Sequence, residues 1–164
     1  MESGSAAKIQ IAGLFRPEAI ELNLQAADEE AVLRELIEKL PELKGRPDDQ
    51  ERLLKALWER ERLCSTGIGD GVALPHVRNP LPDTITKPVI VFGRHPEGVE
   101  FGAIDGKPVQ LFFLIASTDT AVHLYVLAKL SRLLRRPEVR EALLKARTPA
   151  AVLEIISDAE AHLS

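Results

Sequence analysis

His76 follows a segment that contains three closely spaced glycines and a proline, a combination that could hold an imidazole for chemistry. Gly67, Gly69 and Gly71 permit positive φ angles and a close approach to another molecule. Pro75 fixes its own φ and favours an extended conformation in the residue before it. A histidine directly after such a segment is aimed by a stiff backbone. His76 is therefore the first candidate for a reactive group.

A neutral imidazole is a nucleophile that can accept a phosphoryl group. Its ordinary pKa of about 6.5 leaves most of it unprotonated near pH 7. One ring nitrogen must be held, usually by a carbonyl or carboxylate, so that the other presents its lone pair. The phosphoryl oxygens need donors, which a glycine-rich loop, a helix N-terminus or a cationic side chain can supply. The sequence offers all three kinds of donor, so we treat His76 as a candidate phosphoryl acceptor.

Other histidines and arginines could assist it. His123 lies near the start of a predicted helix, where the dipole favours an anion, but it also falls on an apolar stripe that is typical of core residues. Arg60 and Arg78 flank the glycine-rich segment and could neutralise phosphate oxygens, although either could be an ordinary surface residue. His95, at a turn, and His162, in a tail, are interpreted as structural.

Other chemistries lack their motifs. The sequence has no His-Glu-x-x-His pattern for zinc and no Gly-x-x-x-x-Gly-Lys-Ser/Thr loop for a nucleotide. The glycine spacing also misses the dinucleotide fingerprint and precedes a predicted strand instead of following one. Cys64 is the only cysteine, which excludes an internal disulfide and a multi-cysteine metal site. We therefore predict no metal and no cofactor.

Composition sets the broad class. The chain has 164 residues, 45% hydrophobic content and a net charge of −4, which fits one domain with a substantial core and gives no basic footprint for nucleic acid. No apolar run approaches the roughly 20 residues of a membrane-spanning helix. The amino end lacks the basic and apolar regions of a signal peptide. We expect a cytoplasmic protein that neither binds nucleic acid nor inserts into a membrane.

Hydrophobic periodicity predicts the elements that must position these residues. Helices are predicted from Asp28 to near Pro41, over residues 48–62, and from Thr120 onward, followed by two shorter helices that begin at Pro137 and Pro149. Residues 89–92 and 109–116 are almost continuously apolar, which predicts central strands covered on both faces. Turns are expected at residues 96–98 and 105–106, and a strand is expected to end at the candidate histidine. Helices at both ends with strands between them predict an α/β layered domain.

A family resemblance covers most of the chain. Residues 60–62 (Arg-Glu-Arg) and 65–76 (Ser-Thr-Gly-Ile-Gly-Asp-Gly-Val-Ala-Leu-Pro-His) resemble the active-site signature of phosphotransferase-system enzyme IIA domains of the fructose/mannitol class. The Ser-Thr-Gly-Ile-Gly opening is most similar to the nitrogen-regulatory branch. Residues 101–109 resemble the family's hairpin, and His123-Leu124 resembles the start of its last long helix. The resemblance predicts one domain over residues 9–159, with tails at 1–8 and 160–164.

The resemblance implies a mixed β-sheet flanked by helices in a layered single domain, the type-2 EIIA fold. It also implies that His76 is phosphorylated by the phosphohistidine of HPr or its nitrogen-branch equivalent, while His123 and Arg60 stabilise the phosphoryl group. Val77 departs from the family, which usually has Gly or Ala after the active-site histidine, and we expect Val77 at the rim of the site. The residues predicted for the phosphate loop and for partner docking are Ser65, Thr66, Gly67, Gly69, Gly71, Val77 and Arg78.

Three functions remain open from the sequence. The first is a phosphohistidine phosphocarrier of the phosphoenolpyruvate-dependent phosphotransferase system, in nitrogen-type regulation or as a sugar-uptake EIIA component that passes phosphate to an EIIB. The second is a regulatory module whose phosphorylation state controls a partner protein with little onward transfer. No EIIB, EIIC or DNA-binding segment is recognised in the sequence, which favours a regulatory use. The third is an ordinary α/β domain in which the glycine-rich segment is only a turn.

Overall fold

The computed structural model describes residues 9–163, so the tail predicted for residues 1–8 lies outside the described residues. The described chain forms five strands and five α-helices. Their bounds are β1 Phe15–Glu21, α1 Glu29–Ile37, α2 Pro47–Leu63, β2 Gly67–Gly69, β3 Val72–Ala73, β4 Val89–Val99, β5 Val109–Ala116, α3 Thr120–Leu133, α4 Pro137–Lys145 and α5 Pro149–Ala161.

The strands form one mixed sheet in the order β1-β4-β5-β3-β2. The β1–β4 and β3–β5 pairs are parallel, whereas the β4–β5 and β2–β3 pairs are antiparallel. One core cluster packs between the sheet and helices α1 and α2, and a second packs between the opposite face and helices α3, α4 and α5. This arrangement confirms the predicted layered α/β fold with a mixed sheet.

Residues 89–93 of β4 and nearly all of β5 are buried on both faces, as their apolar sequences predict. Alternate side chains point to opposite faces of a strand. Val91 and Phe112 join the cluster under α1 and α2, while Ile90 and Phe113 join the cluster under α3, α4 and α5. These two central strands form the rigid support on which the site is built.

Side chains cap the starts of two of the predicted helices. Asp28 accepts a hydrogen bond from the amide of Ala31 at 2.9 Å at the start of α1. Thr148 does the same for Ala151 at 3.1 Å, and α5 begins directly after it with a proline. These side chains satisfy amides that have no partner within the helix.

The structure corrects three details of the predicted sheet. An edge strand lies at residues 15–21, beyond the first dozen residues, for which a tail or a short edge strand was expected; it contains Pro17, which a sheet tolerates at its edge. The turn predicted at residues 96–98 is an irregularity within β4, which continues to Val99. The strand expected to end at His76 is shorter: β3 ends at Ala73, and His76 forms an isolated bridge with Ile115.

Glu160 joins the two ends of the described chain. Its carboxylate is 5% exposed and accepts hydrogen bonds from the amides of Ile11 at 2.6 Å and Ala12 at 2.9 Å. Lys129 of α3 forms an ion pair with the same carboxylate at 2.7 Å. The packed domain therefore extends past residue 159 into the region predicted as a tail.

Candidate functional site

His76 is held at the end of the short β3 segment by its own backbone. The Pro75 carbonyl accepts the amide of Ile115 at 2.9 Å, which fixes this segment beside β5. The Nδ1 atom of His76 lies 2.7 Å from the carbonyl oxygen of Leu74. A carbonyl can only accept a hydrogen bond, so Nδ1 carries the proton and Nε2 keeps the lone pair. The ring is partly exposed.

The surroundings of His76 favour its neutral form. Burial lowers the pKa of His76 below its usual value, and the positive charge of Arg60 acts in the same direction. The Leu74 carbonyl opposes both effects because it stabilises the protonated ring. A neutral ring with its proton on Nδ1 presents a nucleophilic Nε2 near pH 7.

His123 lies beside His76, as the sequence-based hypothesis expected. It occupies the first turn of α3, and the two ring centroids are 5.2 Å apart with the planes tilted by 55°. The His123 side chain is 4% exposed. Its Nδ1 lies 3.4 Å from Oγ of Ser117, whereas its buried Nε2 has no hydrogen-bond partner among residues 9–163. A buried ring nitrogen without a partner is costly, which makes Nε2 available for a ligand.

His123 is also neutral at pH 7. Burial, together with the positive charge that His76 carries when protonated, lowers the pKa of His123 to about 4. The backbone carbonyl of Val77 lies near enough to the ring to act in the opposite direction on the pKa, although it makes no hydrogen bond of good geometry with Nε2. When Nδ1 accepts a hydrogen bond from the Ser117 hydroxyl, the ring proton lies on Nε2, which then becomes a donor.

Arg60 and Arg78 border the same part of the surface. Arg60 lies in the last turn of α2, where its Nη1 donates a hydrogen bond to the carbonyl of Cys64 at 2.5 Å. Both arginines line an open depression of about 640 Å³ together with Leu63 and Val77. Both predicted arginines therefore border one depression, and Arg60 is close enough to His76 for its charge to lower the pKa of that ring.

Ser65 and Thr66 hold backbone near the acceptor. The Ser65 hydroxyl donates to the carbonyl of Phe101 at 2.6 Å and accepts the amide of Gly67 at 2.9 Å. The Thr66 carbonyl accepts the amide of Leu74, the residue that holds the His76 ring, at 3.0 Å. Gly67 is needed for packing, since a Cβ there would lie 2.8 Å from the Cβ of Ala103.

Gly69 and Gly71 do not lie at His76, contrary to their predicted role in a phosphate loop. Both have positive φ angles, +96° and +77°, at the turn between β2 and β3. Val72, next to this turn, pairs with Leu111 of β5. His76 pairs with Ile115, four residues further along the same strand. Four residues of strand span about 13 Å, so the turn is remote from the imidazole. These glycines form the hairpin.

Val77 lies beneath the depression and is almost fully buried, which corrects the expectation of a side chain exposed at the rim. Its side chain is 4% exposed and belongs to the core cluster under α1 and α2. Successive side chains of an extended segment point to opposite sides. Because His76 points toward His123 and α3, Val77 points toward the other face of the sheet.

No role at the site was predicted from the sequence for Glu61 or Ser117. Glu61 lies between two arginines, and a run of charges on a helix is typical of a solvated face; in the structure it is buried against Thr66. One signal for Glu61 was available in the sequence. It is a negative charge in the last turn of a predicted helix, where the helix dipole disfavours negative charge. Ser117, which contacts His123, carries no signal beyond its position after an apolar strand.

None of the helices in residues 9–163 is long and apolar enough to cross a bilayer. Within the same range, no three His, Cys, Asp or Glu side chains gather in a way that could hold a metal ion.

A family model described as the EIIA 2 component of the phosphoenolpyruvate-dependent sugar phosphotransferase system matches residues 13–159. The chain belongs to this EIIA 2 family. The match spans both helical layers and the complete sheet. It therefore includes the acceptor candidate His76, the neighbouring His123, and the buried Glu61.

Curated relatives of this EIIA chain have two kinds of names. The fructose-specific EIIABC component of Bacillus subtilis is 36% identical over 91% of the chain, and the chain spans 23% of the length of that relative. The nitrogen regulatory protein of Bradyrhizobium diazoefficiens is 33% identical over 90% of the chain and 94% of the relative. Both a sugar-specific branch and a regulatory branch of the family are thus similar to this chain.

Solved structures share the EIIA fold. The nitrogen regulatory protein IIA-Ntr from Neisseria meningitidis has a TM-score of 0.77 and 29% identity, and the match covers 89% of this chain and 98% of that protein. The mannitol enzyme IIA of Escherichia coli, solved in complex with phosphorylated mannitol enzyme IIB, has a TM-score of 0.74 and 30% identity. That match covers 88% of this chain and 99% of the mannitol enzyme.

Proposed function

We propose that this EIIA protein is a phosphocarrier that accepts a phosphoryl group on Nε2 of His76 from the phosphohistidine of HPr or a nitrogen-branch HPr-like carrier. One observation carries the proposal. The Leu74 carbonyl holds the Nδ1 proton of a neutral, partly exposed imidazole, which leaves the Nε2 lone pair free to attack.

The transfer balances without an added cofactor. The Nε2 lone pair of His76 forms a bond to phosphorus while the phosphorus–nitrogen bond of the donor histidine breaks, and the donor ring keeps that electron pair. The donor ring thereby returns to a neutral imidazole. The His76 ring becomes positively charged with its proton still on Nδ1, where the Leu74 carbonyl stabilises that charge.

Two groups support the phosphoryl oxygens in this proposal. The Nε2 of His123 is buried without a partner and lies on a ring whose centroid is 5.2 Å from that of His76, so it is suited to donate to a phosphoryl oxygen. Arg60 supplies positive charge near His76. Donors fixed in advance at a site of developing charge stabilise the transition state.

Partner docking uses the apolar surface around the site. Leu63 is 66% exposed at the depression that Arg60 lines, and Leu124 is 59% exposed beside His123. Phosphoryl transfer requires the two imidazoles to meet in a short-lived complex. Such complexes commonly use small interfaces, below about 1,200 Å². We expect the two leucines to form the centre of this interface.

We propose nitrogen-type regulation as the use of the phosphorylated state, supported by the similarity to nitrogen regulatory proteins over nearly their full length. The fructose-specific relative supports a second candidate, in which the protein passes the phosphoryl group to an EIIB of a sugar permease. In either role we expect it to act in the cytoplasm, where phosphoenolpyruvate is produced.

The proposal is tested by incubation with labelled phosphoenolpyruvate, enzyme I and an HPr-type carrier. The wild-type protein should acquire one acid-labile, alkali-stable label, His76→Ala should acquire none, and the control His95→Ala should match the wild type. Label on His76→Ala, or labelling by ATP without the two upstream proteins, contradicts the proposal. Addition of a purified fructose EIIB then separates the two uses, because a sugar-uptake component loses its label to that protein within seconds.

A further inference from the structure

Glu61 is a buried carboxylate that the transfer chemistry described above does not use. Its side chain is 7% exposed and lies in the last turn of α2. Acidic side chains are rarely buried, and the helix dipole disfavours negative charge at this end. The position of Glu61 therefore lowers the stability of the fold. Residues that depart from local preference in this way are expected at functional sites.

Within residues 9–163 the carboxylate forms its hydrogen bonds with one residue, Thr66, which it contacts twice. The Thr66 amide donates to Oε2 of Glu61 at 3.0 Å, and the Thr66 hydroxyl donates to Oε1 through a short hydrogen bond. Burial raises the pKa of Glu61, while the two hydrogen bonds from Thr66 oppose that rise. The pair clamps the chain at the point where it leaves α2 and enters β2.

Two further hydrogen bonds connect the Glu61–Thr66 pair to His76. The carbonyl of Thr66 accepts the amide of Leu74 at 3.0 Å. The carbonyl of Leu74 in turn accepts Nδ1–H of His76 at 2.7 Å. A movement of Thr66 therefore moves the peptide segment whose carbonyl selects the tautomer of the acceptor ring.

We propose that Glu61 is a positioning residue that, through Thr66, fixes the Leu74 carbonyl that keeps the proton of His76 on Nδ1. Glu61 does not touch the ring. Its benefit to phosphoryl transfer rests on the function proposed above, whereas its control of the tautomer is a property of the unphosphorylated protein. The two claims can therefore fail separately.

The test combines histidine ¹⁵N NMR with the rate of phosphorylation. In the wild-type protein the His76 spectrum should show the proton on Nδ1. Glu61→Ala and Thr66→Val should increase the population with the proton on Nε2 and slow phosphorylation by about 10- to 100-fold, the range that loss of an orienting partner has at other sites. Thr66→Ser keeps both hydrogen bonds. In Glu61→Gln the amide oxygen can still accept the Thr66 amide, while the side-chain NH2 donates to the Thr66 hydroxyl oxygen. Both variants should restore most of the wild-type behaviour.

Leu57→Ala is the matched control. Leu57 lies one turn earlier on the same helix and is 1% exposed, so its truncation destabilises the fold without touching Thr66. It should leave the tautomer of His76 unchanged. Thr66→Val removes only the hydroxyl and keeps the test usable if Glu61→Ala does not fold.

The proposal is overturned if Thr66→Val retains the wild-type tautomer or if Leu57→Ala shifts it equally. If the tautomer shifts while the phosphorylation rate stays the same, Glu61 sets the tautomer but its benefit to phosphoryl transfer is contradicted. A different result, in which the variants shift the tautomer but the wild-type protein accepts no label, contradicts the phosphocarrier function and leaves the positioning role of Glu61 supported.

Discussion

The rings of His76 and His123 lie with their centroids 5.2 Å apart, one at the end of a short strand and the other in the first turn of a helix. Protonation of His76 lowers the pKa of His123, so the pair resists a double positive charge. Both rings are therefore neutral at pH 7, one with a lone pair for attack and the other with a buried nitrogen that has no hydrogen-bond partner in the described part of the chain.

His123→Ala should retain the acceptor and slow its phosphorylation. If the ring donates to a phosphoryl oxygen, its removal should lower the rate constant by roughly 10²- to 10³-fold, as for the loss of one oxyanion donor. Single-turnover transfer from the labelled HPr-type carrier measures this rate. His162→Ala is the control. Wild-type kinetics in a folded His123→Ala protein would show that His123 is only a structural residue.

Stability should fall as the pH falls from about 6.5 toward 4. The unfolded chain protonates His123 near its ordinary pKa of about 6.5, whereas the folded protein lowers that pKa to about 4. The unfolded state then binds more protons in this window, so the free energy of unfolding decreases with decreasing pH, by up to on the order of 3 kcal/mol from this group.

Urea unfolding at pH 7 and at pH 5 measures that loss. His123→Gln removes the titrating ring while other groups, including the carboxylates, keep their contributions. The loss in stability between the two pH values should therefore be smaller in His123→Gln than in the wild type. Equal losses would mean that the folded state protonates His123 as easily as the unfolded chain does.

Val77→Ala should destabilise the fold. The side chain is 4% exposed within the cluster under α1 and α2, and truncation of a buried valine costs about 2 kcal/mol through lost burial and a residual cavity. Arg78→Ala, at an exposed neighbour, should change the free energy of unfolding by less than about 0.5 kcal/mol. A stable Val77→Ala protein with altered exchange rates would restore the rim position that its sequence context indicated.

Leu124→Asp should weaken docking of the carrier while the acceptor chemistry is preserved. A charge at the centre of an apolar contact must be desolvated on binding, so the KM for the phosphorylated carrier should rise by about 10-fold or more. Leu144 of α4 is also exposed, at 38%, and its carbonyl accepts a hydrogen bond from Arg94. Leu144→Asp is therefore the matched control. Equal KM values for the two variants would exclude Leu124 from the interface.

Much of the fold could be predicted because its signals are local. The apolar runs at 89–92 and 109–116 and the caps Asp28 and Thr148 act within a few residues of themselves. The position of the edge strand at 15–21 could not be predicted, since its pairing with β4 is a long-range property.

Prediction of the site was limited in the same way, because sequence signals are local. Recognition of His76, His123 and Arg60 depended on the order of residue types along the chain. The burial of Val77 and Glu61, and the separation of the glycine turn from the imidazole, depend on how strands register in the sheet.

The contact of Glu160 with Ile11 and Ala12 has a consequence for rearranged versions of the domain. Since residues 11 and 12 meet residue 160 at one buried carboxylate, a short peptide is enough to join these positions. A circular permutant with that linker, reopened in the partly exposed connection at residues 79–83, would keep the sheet order. Such a permutant moves the new termini beside the docking surface, so a reporter fused there would sense partner binding directly.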